Sequence, residues 1–259
     1  MSAPRTLLFA ALISASFVAA GQAQKKEEFV PESGQPGKDV VWVPTPQVLV
    51  DKMLDLANVT AKDYVMDLGS GDGRTVITAA KRGATAVGIE YNPDMVELSK
   101  RNAAKEGVTG KASFMKADLF ETDLSKATVI TMFLLPSINL KLRPKILGLK
   151  PGTRVVSNSF TMDTWEPDET ARLTAEQGCN SGWCTAHYWI VPAAFGGNYK
   201  TPAGELTLKQ TFQMLDGTLK TPSGVQEVKG KVRGEEALFT AGGKTYRARV
   251  KGTEITLLP

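Results

Sequence analysis

Residues 64–74 read Tyr-Val-Met-Asp-Leu-Gly-Ser-Gly-Asp-Gly-Arg. An apolar, β-prone run ends at Asp67, and three glycines follow at alternate positions, Gly69, Gly71 and Gly73. Behind them lies a segment patterned as a helix, Thr75 to Arg82. A strand that turns so tightly into a helix needs residues without Cβ, both to reach unusual φ/ψ and to let a ligand approach the backbone. A purely structural tight turn has the same glycines, so the loop needs its context.

That context is an alternation of strands and helices. The pattern predicts a helix from Gln47 to Ala57 with Val50, Met53, Leu54 and Ala57 on one face, and Pro46 suits its first turn. Strands follow at Tyr64–Leu68, Ala86–Glu90, Ser113–Lys116, Ala127–Phe133 and Arg154–Ser157. Between them, helices are expected at Pro93–Glu106, opened by Asn92 as N-cap, and at Leu140–Leu149, which stops before Pro151-Gly152. Strands and helices at this spacing make an α/β fold, a doubly wound, mostly parallel sheet with the ligand crevice beyond the C-terminal strand ends.

Three carboxylates sit at successive strand ends. Glu90 stands twenty-three residues after Asp67 and can accept both hydroxyls of a ribose. Asp118, in Lys-Ala-Asp-Leu-Phe, can accept from an adenine amino group. Each alone could be a surface charge or a cap; with the loop they describe an adenosine-shaped site. An acid beside the loop disfavours a pyrophosphate and suits a ligand carrying an ammonium and a sulfonium. A nicotinamide dehydrogenase also fails on the glycine spacing, Gly-x-Gly-x-Gly rather than Gly-x-Gly-x-x-Gly. The ligand expected is S-adenosyl-L-methionine.

On these residues the chain resembles the seven-strand, class I S-adenosylmethionine-dependent methyltransferases. Val-Met-Asp-Leu-Gly-Ser-Gly-Asp-Gly looks like their first motif, Gly88-Ile89-Glu90 their second, and Ala117-Asp118-Leu119 their third. The likeness covers roughly residues 40–192. Val43-Pro44-Thr45-Pro46 and Gly88-Ile89-Glu90-Tyr91-Asn92-Pro93 narrow it to the small mitochondrial lysine methyltransferases that modify the ATP synthase c-subunit and the adenine nucleotide translocator. The resemblance implies that Asp67, Gly69, Ser70, Gly71 and Gly73 form the loop around the methionyl part and sugar. It implies that Glu90 binds the ribose, and that Asp118 and Leu119 hold the adenine. Val43, Pro44 and Pro46 would lie near the acceptor channel, with Phe133 to Pro136 walling the transfer site. Packing at the sheet end accounts for those apolar residues equally well.

The rest of the chain frames this domain. Its 259 residues, 42% hydrophobic and 22% charged, with net charge +4, suit one large soluble domain plus an appendage and do not suggest a nucleic-acid binder. Arg5 precedes an uncharged run, Leu7 to Ala20, and Gly21-Gln22-Ala23 offers small residues. That is the layout of a signal peptide, residues 1–23, so an exported, periplasmic protein is expected, in tension with a cofactor made in the cytosol. The run is also shorter than the roughly 20 residues of a membrane-spanning helix. An extended lead-in occupies 24–40, the methyltransferase domain 41–195, and a β-rich module 196–259.

In that module Leu206, Leu208, Phe212 and Met214 alternate with polar residues, and Asp216-Gly217 signals a hairpin turn. Tyr246, Ala248 and Val250 alternate again before Lys251-Gly252. The only cysteines, Cys179 and Cys184, flank a Ser-Gly turn and are expected to form a local disulfide; with His187 they make an incomplete metal site, and no metal is expected. No general base is assigned, and the sole histidine, His187, lies in an apolar strand pattern. Two functions stand: a methyltransferase acting on a protein lysine or a small molecule, and an exported binding or scaffold protein that keeps the fold.

Overall fold

The computed structural model describes residues 29–38 and 41–259. The signal-peptide reading of 1–23 lies outside them. Two seven-stranded sheets follow one another along the chain. The first is built from β1 (Tyr64–Leu68), β2 (Thr85–Glu90), β3 (Ala112–Lys116), β4 (Val129–Met132), β5 (Arg154–Asn158), β6 (Glu169–Arg172) and β7 (Thr185–Ile190). Its order is β3-β2-β1-β4-β5-β7-β6, with β1 to β5 parallel and β7 antiparallel to both neighbours. Strand order reverses at β1, whose neighbours are β2 and β4, so the loop after β1 sits at the topological switch point.

Helices cover both faces. On one, α1 (Gln47–Leu56), α2 (Arg74–Lys81) and α3 (Pro93–Lys105) bury Leu49, Leu54, Val76 and Val96 against Val65, Ala86 and Val156. On the other, α4 (Pro136–Leu147) sets Ile138, Leu142 and Ile146 beside Met66, Ile130, Trp165 and Trp189. Asn92 caps α3, its side-chain oxygen accepting the N–H of Asp94. Helix α4 starts at Pro136 rather than at Leu140. Proline fits the first helical position, where its missing N–H leaves no bond unmade. Pro46 stands just ahead of α1, and its carbonyl accepts from Leu49 and Val50. No helix of the described residues is long and apolar enough to cross a membrane.

Arg154 fastens the lower edge. Its guanidinium binds the Asp63 carboxylate and the carbonyls of Ala57 and Asn58 behind α1. Burial pushes the Asp63 pKa up, but the Thr60 N–H, the Thr128 hydroxyl and Arg154 outweigh it and hold the carboxyl below its ordinary value.

The second sheet is a meander: β8 (Gly197–Thr201), β9 (Gly204–Thr211), β10 (Met214–Thr221), β11 (Gly224–Arg233), β12 (Glu236–Ala241), β13 (Lys244–Lys251) and β14 (Glu254–Leu258). Each strand pairs antiparallel with the next, around a core of Leu206, Leu208, Leu219, Val228 and Phe239. Asp216-Gly217 is not its turn. Both residues lie inside β10, and the turn is Phe212-Gln213. Gly217 is needed for a different reason: a Cβ there would lie 2.0 Å from the Thr207 carbonyl oxygen on β9. The displaced turn docks the meander onto the first sheet. Phe212, at φ 52°, stacks on Trp165 with ring centroids 6.0 Å apart, and Lys231 pairs with Asp168 at 2.7 Å.

Candidate active site

A cleft opens at the carboxyl edge of the first sheet, over the loop that follows β1. It encloses about 1090 Å³ of space, part of which is open to solvent. Asp67, Gly69, Ser70, Gly71, Glu90, Asp118 and Leu119 all contribute to its lining, as do Val43, Pro44 and Phe133.

Four residues expected at the site do not line it, Leu135 among them, which is exposed at the start of α4. Gly73, at φ 83°, precedes α2, and a Cβ there would strike the Phe114 ring at 2.7 Å, so it serves packing between loop and sheet. Pro46 is turned to the start of α1, and Pro136 is exposed at the start of α4.

The carboxylate of Glu90 is held from two sides. The N–H of Gly71 donates to Oε2 and that of Asn92 to Oε1, each at 2.9 Å. Each oxygen keeps a further lone pair, the number a vicinal diol requires. Ser70 rests its hydroxyl on Gly88, where a Cβ would lie only 2.5 Å away, so the loop lies flat on β2. Over the loop, a Cβ on Gly71 would meet Nε1 of Trp42 at 2.5 Å. The indole closes the cleft from above, and only glycine leaves it room.

Asp67 is buried at the floor, with the Thr131 hydroxyl donating to Oδ1 at 2.7 Å. Burial pushes its pKa up to about 7, against the Thr131 hydrogen bond and with help from the Glu90 and Asp72 charges. A buried carboxylate poised to ionise beside a cleft favours a cationic group of the ligand. Asp118 sits at the far end, where Lys38 binds Oδ2 at 2.6 Å and the Phe120 N–H binds Oδ1. These two donors hold its carboxyl below the ordinary range.

The residues that cover the cleft carry no sequence motif. Gln35 to Lys38, Trp42, Tyr91 and Met95 also line it. Lys38 lies 4.5 Å over the Tyr91 ring. Arg74 forks onto Asp72 and reaches the Thr45 carbonyl at 2.9 Å, which ties the loop to this covering strap. Trp42 was the available signal, an aromatic beside Val43-Pro44 and ahead of α1.

His187 lies outside the lining, with its Nδ1 3.0 Å from the Thr170 hydroxyl, and burial pushes its pKa down. Cys179 and Cys184 form a disulfide. Among the described residues, no group of His, Cys, Asp and Glu could hold a metal ion.

The strand order, the glycine turn and the acids at three strand ends define a class I S-adenosylmethionine-dependent methyltransferase. Known proteins agree. A family model described as the ANTKMT methyltransferase domain matches residues 67–169. A protein-lysine N-methyltransferase of Saccharolobus islandicus (strain REY15A) is 49% identical over 137 residues, 52% of this chain and 85% of that protein. The lysine N-methyltransferase of the ATP synthase c-subunit, from Homo sapiens, is 42% identical over 150 residues, 58% of this chain and 60% of its own length. An RNA methyltransferase from Salinibacter ruber, crystallised with S-adenosyl-L-homocysteine, is 48% identical with a TM-score of 0.54, covering 59% of this chain and 96% of that one. The chain belongs to the methyltransferase family that these proteins represent, and S-adenosylmethionine is its cofactor. The family match ends at Glu169, so the disulfide loop and the meander lie beyond it.

Proposed function

We propose that the chain transfers a methyl group to lysine side chains of a protein, and that it does so after export. The carrying observation is the convergence of Asp67, Glu90 and Asp118 on one cleft at the switch point. The lysine acceptor is supported by the lysine methyltransferases at 49% and 42% identity. Export is supported by the Arg5 to Ala23 layout and by a disulfide between the only two cysteines.

In this reading Glu90 takes the ribose hydroxyls, Asp118 the adenine amino group and Asp67 the ammonium of the methionyl part. Bound S-adenosylmethionine supplies a methyl group already activated on a sulfonium. What the protein adds is orientation and a dry surface. Trp42 and the strap exclude water from above, while Phe133 and Leu134 border the cleft with apolar surface. That surface would favour the uncharged amine, the form whose lone pair can take up the methyl group that S-adenosylmethionine would supply. The amine's proton leaves to solvent, so no dedicated base is required.

The test offers labelled S-adenosylmethionine with poly-L-lysine, envelope protein or total RNA to the full chain, followed by mass spectrometry. Methyl-lysine is the expected product. Label confined to RNA would replace this reading with the one that the Salinibacter protein's description suggests. Export is tested by fractionation: a cytosolic chain with residues 1–23 still attached would refute it.

A further inference from the structure

Three strands adjacent in the first sheet each deliver one aromatic ring to the same edge. Phe133 follows β4, Phe160 lies just past β5, and Trp183 just precedes β7. Because β7 is antiparallel, its beginning lies beside the end of β5: Asn158 pairs with Ala186, and the Ser159 N–H reaches the Thr185 carbonyl at 2.7 Å. The rings close a triangle, with centroids 6.1 Å apart for Phe133–Phe160, 5.6 Å for Phe133–Trp183 and 5.5 Å for Phe160–Trp183. Phe133 belongs to both the triangle and the cleft lining. Trp183 is 37% exposed, and Leu135, two residues past Phe133, is 41% exposed, so the triangle runs outward from the cleft to an apolar surface.

The backbone here is set for this display. Ser159 adopts φ 59°, turning Phe160 out of the strand, while its hydroxyl donates to Asn158 Oδ1 at 2.7 Å. The buried Asn158 amide donates to the Thr45 hydroxyl, which ties this corner to the covering strap. Trp183 sits in the six-residue loop closed by the Cys179–Cys184 disulfide, and its N–H donates to the Ser181 hydroxyl at 3.1 Å. Cys184 directly follows Trp183, so the disulfide fixes where the indole can lie.

We infer that Phe133, Phe160 and Trp183 form the wall that receives the acceptor's lysine side chain, and that the Cys179–Cys184 disulfide positions Trp183 to complete it. The inference rests on the lysine reading above and adds the surface that would serve it. A lysine has a four-carbon stem that packs on apolar rings, and a head that ring faces attract once it is a methylated ammonium. Trp183 and both cysteines lie outside the residues that the family model matches, 67–169.

The probe is Nα-acetyl-Nε-trimethyllysine amide, titrated by proton NMR into the oxidised full chain saturated with S-adenosylhomocysteine. The expected result is an upfield ring-current shift of the N-methyl resonance. Trp183→Ala and Phe160→Ala should each weaken probe binding tenfold or more and leave S-adenosylhomocysteine affinity within twofold. Reduction of the disulfide should weaken it similarly in the wild type and have no further effect in Trp183→Ala, since the disulfide acts through that ring. Probe binding unchanged by Trp183→Ala or by reduction, with cofactor affinity intact, would overturn the wall alone. A wild-type chain that binds no S-adenosylhomocysteine would overturn the methyltransferase reading, and the wall with it.

Discussion

The two sheets have seven strands each and divide the work of the molecule unequally. In the first, parallel strands need long crossovers, so every strand end carries a loop free to diversify. Asp67, Glu90, Asp118, Phe133 and Phe160 all lie at or just beyond such ends. In the meander, β9 to β14 are joined by turns of two residues that leave no room for a site. Its alternating strands bury one face around Leu206, Leu219 and Phe239. A parallel sheet presents chemistry at one edge; this meander closes short turns around a core of its own.

That contrast can be broken most severely at Gly217. A valine there drives its Cβ into the Thr207 carbonyl at 2.0 Å, and overpacking of this kind destabilises by about 3 kcal/mol. Melting should fall by roughly 6–12 °C in a chain of this size, while the folded fraction binds S-adenosylhomocysteine with unchanged affinity. A Gly252→Ala control, open to solvent at φ 62°, should lose only about 1 kcal/mol. Cofactor affinity falling in step with melting in both variants would show that the sheets are not separable in function.

At the first sheet the expectation reverses. Glu90→Ala removes the acceptor that two backbone N–H groups present, and calorimetry should show S-adenosylhomocysteine affinity reduced by about 100-fold. Melting of the cofactor-free chain should move little.

The smallest effect is one of pH. The folded Asp67 carboxyl holds its proton up to about pH 7, whereas its unperturbed value is 3.8. Its contribution to stability is therefore fully present below pH 3.8 and lost as pH rises to about 7. Binding of the cofactor's ammonium needs the ionised form, so affinity should rise about tenfold from about pH 6 to pH 8. Asp67→Asn should flatten that profile, lower affinity, and raise the melting temperature of the cofactor-free chain at alkaline pH. A flat profile in the wild type would remove Asp67 from the site.

The sequence was most legible where periodicity and turn chemistry act locally. Tyr64–Leu68 is read to the residue, and Asn92-Pro93 marks the start of α3 because cap and first-position proline are short-range devices. The failures come from tertiary contact. Asp216-Gly217 reads as a turn, yet the approach of β9 claims that glycine for a strand interior. Edge strand β6, Glu-Thr-Ala-Arg, has no apolar alternation to reveal it. In the site, the acids at strand ends were legible because they follow apolar runs. Trp42, Lys38 and the Phe160–Trp183 pair were not, since folding alone brings the first two to the cleft and the pair against Phe133 from segments far apart in the chain.

The connectivity of the sheets also sets a timetable. Every meander pairing joins neighbours in the chain, whereas pairing β1 with β4 brings Val65 to Val129, a separation of 129 − 65 = 64 residues. Loops of that span close slowly, and folding rate falls as contacts become less local. Pulsed hydrogen exchange during refolding should therefore protect amides of 204–251 before those of 64–68; the opposite order would refute this. The sheet that bears the cleft is then the later of the two to close. This delays the cleft until the last long-range strand pair has formed.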